Sequence, residues 1–166
     1  MDILPDLLSR NLTVVFCGTA PGRTSAAQRA YYAHPRNRFW RTLYECHLTD
    51  RLLDPGQYQE LPTYGIGLTD LCKHTSGNDD ELPKESLACQ RLLLAIERYE
   101  PRCVAFTSRH AGRALCGSLA KYGRQAPRGE TEIYILPTTS PRWGQRWWEQ
   151  NKHHWQNFAN DAKAWI

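Results

Sequence analysis

Two stretches of this chain bring together groups that could do chemistry. The first is Gly18-Thr19-Ala20-Pro21-Gly22, directly after an apolar run. Glycine and proline there let backbone N–H groups come close to a ligand. It is not a phosphate-cradling P-loop, because the second glycine falls one place early and no Lys-Ser/Thr pair follows. Nor is it a G-x-G-x-x-G dinucleotide fingerprint. The second stretch is Tyr31-Tyr32-Ala33-His34-Pro35-Arg36-Asn37-Arg38-Phe39-Trp40, which mixes aromatics, cations and an amide. Tyr32 falls before the helical pattern, where its ring could stack on a planar base, a contact worth roughly 1–3 kcal/mol. Asn37 suits a helix N-cap. His34, before a proline, suits bonding to backbone groups. Phe39 and Trp40 fall on a helix stripe and read as core.

These residues need a scaffold, and the periodicity supplies one. Leu12–Cys17, Cys103–Thr107 and Ile133–Leu136 are short apolar runs that read as buried strands, with Gly65–Leu71 a weaker one. Helical patterns cover Asn37–His47, Ser86 to about Tyr99 with Ser86 as cap, Ser108 to about Tyr122 with Ala111, Leu115, Leu119 and Tyr122 on one stripe, and Gln145–Ile166. Trp148, Trp155, Phe158 and Trp165 approximate helical spacing and read as core. Asp54–Pro62 and His74–Pro83 read as loops. Strands alternating with helices predict a mostly parallel sheet covered on both faces, with the ligand site beyond the carboxyl ends of the strands.

Composition narrows the class. The chain has 166 residues, 41% of them hydrophobic, which suits one globular domain over 1–166. No apolar run approaches the roughly 20 residues that span a bilayer, so no membrane partner is expected. The first ten residues carry two aspartates and no basic region before an apolar one, so a cytoplasmic location is expected. The six cysteines form no C-x-x-C pair and read as free thiols; no metal and no cofactor is expected. Asp79, Asp80, Glu81 and Glu85 concentrate acid in one segment. From Arg102 to Arg146 the cations outnumber the two glutamates, which suggests a polyanionic partner.

In order and spacing the motifs resemble the mismatch-specific uracil/thymine-DNA glycosylases, and more closely their hypoxanthine-DNA glycosylase relatives. G-x-x-P-G, a loop, then an aromatic before A-H-P-x-N-x-F-W is similar to the first motif of that superfamily. Gly65-Ile66-Gly67-Leu68-Thr69-Asp70, Val104–Ala111 and Leu136-Pro137-Thr138-Thr139-Ser140-Pro141 are similar to later ones. The resemblance implies a three-layer α/β sandwich around a central, mostly parallel four-stranded sheet. It implies a monomer acting on DNA, which flips a damaged nucleotide into a pocket and hydrolyses its N-glycosidic bond.

It also implies roles. Gly18, Thr19, Ala20, Gly22, Tyr32, Thr107 and Ser140 would line the base pocket, with Tyr32 as the stacking face and the amides near Thr19 and Tyr32 as donors. Ala20 stands where relatives place the Asn or Asp that holds the attacking water, so that work must move. Asn37 is the first candidate by resemblance. Asp70 is the second by chemistry, since a carboxylate can take a proton and an amide can only orient; a cap or ion pair is its plainer reading. Gly22 replaces a blocking tyrosine and leaves room for larger bases. Thr107 replaces a base-reading Asn, against strict uracil discrimination. Arg142 and Trp143 stand where a wedge would enter the duplex, with Arg109 and Arg146 as further DNA contacts. Two rival readings are a non-catalytic nucleic-acid-binding module on this fold and a hydrolase of small nucleosides.

Overall fold

A computed structural model describes residues 1–165; Ile166 and the side chain of Ser86 lie outside the described residues. Five strands form one sheet: β1 (Val14–Gly18), β2 (Ile66–Asp70), β3 (Cys103–Phe106), β4 (Gly123–Arg128) and β5 (Thr131–Ile135), in the order β2-β1-β3-β5-β4. The first four in that order are parallel, and they are the four apolar runs read from the sequence. The fifth, β4, pairs antiparallel with β5 at the edge. Its sequence, Gly-Arg-Gln-Ala-Pro-Arg, has no apolar alternation and is mostly exposed, so no strand pattern announces it. A proline is tolerated there because an edge strand need not donate every N–H.

Side chains alternate across the sheet, so each face has its own core. Val14, Phe16, Leu68, Ala105 and Tyr134 face one layer, against α2 (Phe39–Glu45), α5 (Gln145–Asn151) and α6 (His153–Ala162). Phe16 stacks edge-on to Phe39 at 5.5 Å and lies 5.5 Å from Trp155. Val15, Cys17, Val104, Phe106, Ile133 and Ile135 face α3 (Gln90–Tyr99) and α4 (Arg109–Cys116). A Cβ on Gly112 would come within 2.4 Å of Ile135, so only glycine lets α4 lie this close to β5. The remaining helix, α1 (Arg23–Gln28), follows β1.

Several expected boundaries move. α4 stops at Cys116, and Leu119 is 88% exposed rather than on the buried stripe, because the chain turns at Gly117 to start the β4 hairpin. α3 begins at Gln90, with the 84–87 segment a separate 3-10 turn containing Ser86. Pro55–Tyr64 is a ten-residue 3-10 helix capped by Asp54 rather than a loop. Trp148, Trp155 and Phe158 are buried, as their spacing predicts, and Trp165 is partly buried against them. The helical pattern that reached Ile166 is two helices, the second ending at Ala162.

The topology fixes where a ligand can sit. The chain leaves β1 for β2 on one side, then crosses to β3 on the other, so β1 and β3 diverge at their carboxyl ends. Such a switch point opens a crevice there.

Candidate active site

An open cleft of about 860 Å³ occupies that crevice. Its wall includes Gly18, Thr19, Ala20, Gly22, Tyr32, Asn37, Asp70, Thr107, Ser140, Arg142 and Trp143. Arg109 and Arg146 are exposed but not part of the wall; Arg109 instead covers the Tyr122 ring at 5.0 Å.

Asp70 forms the floor. It ends β2, where Leu71 N–H donates to Gly18 O and Cys72 N–H to Thr19 O. That pairing holds the Asp70 carboxyl against the Gly18 backbone, and a Cβ on Gly18 would lie 2.6 Å from Oδ1. The same Cβ would lie 3.3 Å from the Tyr32 hydroxyl and 3.5 Å from Thr107 Oγ1, so all three groups converge over one glycine. Asp70 is 5% exposed, and its Oδ2 is a buried oxygen with no hydrogen-bond partner. Among the described residues no cap or ion pair reaches that oxygen, which weighs against the plainer reading of Asp70. Burial pushes its pKa up to about 7, with the Asp6 charge adding to the rise and the Lys73 ammonium opposing it. A buried acceptor left without a donor costs on the order of 1–3 kcal/mol, a cost that persists at sites reserved for a ligand.

Tyr32 adopts a left-handed backbone, φ 52°, which costs a non-glycine residue on the order of 1 kcal/mol. The flanking loop is tied down: Ser25 Oγ accepts from Ala33 N–H at 3.0 Å, and Tyr31 O accepts from Trp40 Nε1 at 3.2 Å. One face of the Tyr32 ring is spent on Phe39, stacked at 3.9 Å and 17°. A base would have to extend that stack from the other side. The Tyr32 hydroxyl is 2.9 Å from Thr107 Oγ1, which is itself 3.5 Å from Cys17 O. Thr107 therefore anchors the tyrosine, a job that its reading as a base-contacting residue did not include. Burial raises the Tyr32 pKa well above its usual range, Asp70 adding to the rise, so the hydroxyl stays neutral.

Asn37 Oδ1 accepts from Phe39 N–H at 2.9 Å, but Arg38 occupies the N-cap position of α2, so Asn37 braces the chain one residue before the cap instead of capping the helix. His34 Nδ1 accepts from Arg36 N–H at 3.1 Å, a backbone contact of the kind its position suggests. Gly22 precedes α1, and a Cβ there would meet nothing within 4 Å. The N–H groups of Thr19 and Tyr32 take no part in the turn and loop hydrogen bonds of the described residues. Ser140 opens a turn: its Oγ accepts from Arg142 N–H and its carbonyl from Trp143 N–H.

Sequence reading passed over several residues here. Arg38 reaches across to Ser140 O at 3.2 Å and Trp143 O at 3.0 Å, clamping the 137–143 loop to the start of α2. Trp155 Nε1 holds the same loop through Pro137 O at 2.9 Å. Asp80 pairs with Arg142 at 3.3 Å and Glu81 with Arg23, so the acidic segment lies across the cleft mouth. Lys73 and Asp6 were not singled out either. Among the described residues no three His, Cys, Asp or Glu side chains gather as a metal site.

Sheet, switch-point cleft and convergent polar floor define an α/β protein with an open cleft at the carboxyl ends of its strands. A sequence model of the uracil DNA glycosylase superfamily matches residues 5–163, and the chain belongs to that superfamily. Its structure is similar to the solution structure of a proposed uracil DNA glycosylase from Methanosarcina acetivorans, with a TM-score of 0.69 and 22% identity over 96% of each chain. That likeness shows the fold. Membership of the superfamily supports DNA glycosylase activity in general, with DNA as substrate. No helix among the described residues is long and apolar enough to cross a membrane.

Proposed function

We propose that this chain is a monofunctional DNA glycosylase acting as one domain. It takes uracil and larger deaminated or alkylated bases such as hypoxanthine, xanthine or ethenocytosine, and leaves an abasic site. The observation that carries this reading is Asp70: a buried carboxylate with an unpartnered oxygen, against Gly18 in the switch-point cleft.

In the proposed reaction the C1′–N bond breaks first, leaving an oxocarbenium sugar and an anionic base. Water then adds to C1′ and its proton passes to Asp70. A base with a pKa near 7 is suited to that transfer at neutral pH. Before the transfer, the carboxylate opposes the positive charge on the sugar. Asn37 has its amide N–H groups to offer the water or the sugar, since Oδ1 already serves Phe39. The N–H groups of Thr19 and Tyr32 are aimed in this reading at the oxygen of the departing base, where negative charge develops. Tyr32 holds the ring in this reading, and Gly22, which carries no side chain, leaves room for a purine. A lyase step needs an amine nucleophile, and among the described residues no lysine lines the cleft, which favours simple hydrolysis.

The test is release of free base, under enzyme excess, from oligonucleotides bearing uracil, hypoxanthine, xanthine or ethenocytosine, single- and double-stranded. Release of uracil and at least one larger base, with an intact abasic strand, is expected. Binding without release from any of them would leave a nucleic-acid-binding module.

A further inference from the structure

Among the described residues, Asp70 and Lys73 are the two charged side chains withdrawn almost wholly from water. Burying an ammonium is costly unless it is paired. Lys73 Nζ lies 2.8 Å from Asp6 Oδ1 and donates to the Tyr31 hydroxyl at 3.2 Å, with the Tyr31 ring 5.7 Å away. That hydroxyl passes the chain on, donating to Pro5 O at 3.0 Å.

Asp6 is shared. Its Oδ1 also accepts from Thr69, beside Asp70, at 2.6 Å, and its Oδ2 lies 3.1 Å from Arg91. Arg91 in turn grips Asp2 through both carboxylate oxygens, at 3.0 and 2.6 Å. His74 stands 4.0 Å from Asp2. Backbone bonds stitch the same segment to β2: Ile3 N–H to Lys73 O, and Leu7 with Leu68 in both directions. Two aspartates thus meet Arg91 and Lys73, and the four charges cancel. An ionised Asp70 is the surplus anion beside it.

An uncharged side chain at 73 would leave Asp6 paired with Arg91 at lower desolvation cost, so holding the fold together does not require a buried ammonium there. The geometry points to Lys73, fixed by Asp6 and Tyr31 three residues past Asp70, as a positioning residue whose buried positive charge favours the anionic form of that carboxylate and leaves its Oδ2 free for the reaction. This rests on the reading of Asp70 as the proton acceptor. Asp6 works in two directions: it fixes Lys73, and its own charge opposes that of Asp70. The other groups near Asp70, the Cys17 thiol and the Tyr31 and Tyr32 hydroxyls, are raised by burial and stay neutral.

The experiment follows the Asp70 carboxyl carbon by NMR against pH in the free, folded protein, for the wild type, Lys73→Met and Asp6→Asn. Lys73→Met should move the Asp70 midpoint up, on the order of one pH unit, and Asp6→Asn should move it down. The acid limb of single-turnover cleavage should move the same way in each variant. A midpoint that stays in place, or that moves the same way in both, overturns the proposal. If Lys73→Met does not fold, Asp6→Asn decides alone, because Arg91 still holds Asp2: a fall supports the proposal, and no fall overturns it. Because the titration uses no DNA, opposite shifts in a protein that releases no base would sink the glycosylase reading while leaving Lys73 in its role.

Discussion

The floor and the rim of the cleft are built on opposite electrostatic terms. On the floor, Asp70 is buried with an oxygen unpartnered and its pKa pushed up to about 7, first by burial. On the rim, Asp80 and Arg142 are both more than half exposed and lie in direct ion-pair contact. That contact holds Asp80 below the usual carboxylate range. Water and salt screen the rim pair and barely reach the floor. The difference suggests a division of labour, with chemistry on the floor and reversible attraction to a polyanion on the rim. Variants on the floor should change rates, and variants on the rim should change affinity and its salt dependence.

The largest effect expected is at Asp70, and it has two signs. Asp70→Asn should lower single-turnover cleavage by on the order of 100-fold or more while leaving DNA binding largely intact. The same change should stabilise the fold at pH 8. The folded protein holds the Asp70 proton up to about pH 7, against the ordinary 3.8. Stability conferred by the protonated group is present below about pH 4 and lost as pH rises through about 7. An asparagine carries no charge to bury, so thermal melts should favour the variant at pH 8, with the advantage shrinking towards pH 4. A variant less stable than the wild type at pH 8 would make Asp70 a structural group and erase the contrast.

Gly18→Ala comes next. Its Cβ would meet Asp70 Oδ1 at 2.6 Å and must displace the carboxyl. Cleavage should fall by roughly 10- to 100-fold with affinity for DNA little changed, since a small misplacement at the reacting centre is costly. Equal cleavage rates would show that the position of Asp70 over Gly18 is unimportant.

Gly22→Tyr sharpens the comparison where floor meets rim. A Cβ at Gly22 would meet nothing within 4 Å, so the substitution starts without a backbone clash. Release of hypoxanthine or ethenocytosine should drop before release of uracil. Equal losses for all bases would show that this residue does not set the size of the pocket.

On the rim the effects are smaller. Arg142→Ala should weaken duplex binding and reduce the slope of log affinity against log salt by about one. Asp80→Asn should tighten binding, roughly two- to five-fold, because phosphate no longer competes with Asp80 for the guanidinium. Titration across a salt series measures both, and tighter binding in neither salt nor sequence context for Asp80→Asn would remove the competition.

The same division shows in what the sequence disclosed. The parallel strands were legible because each is a short apolar run buried on both faces. β4 was hidden because an exposed edge strand needs no apolar pattern, and Leu119 misled because amphipathic spacing continued past the end of α4. Tyr32, Gly18 and Asp70 were legible through motif order. The isolation of Asp70 was not, since it depends on which partners the fold withholds. Lys73 reads locally as a surface lysine; its burial comes from Asp6, 67 positions earlier in the chain. Arg38 and Asp80 likewise act on a loop more than 60 residues away. Contacts of that separation leave no mark on local spacing.

The most direct measurement is the rate of uracil release by the wild-type protein under enzyme excess, followed from pH 5 to pH 9 on one oligonucleotide. With Asp70 as the proton acceptor, the rate should rise with pH and level off above an apparent pKa near 7. A rate that does not change across that range, or that falls as Asp70 ionises, would contradict the central claim.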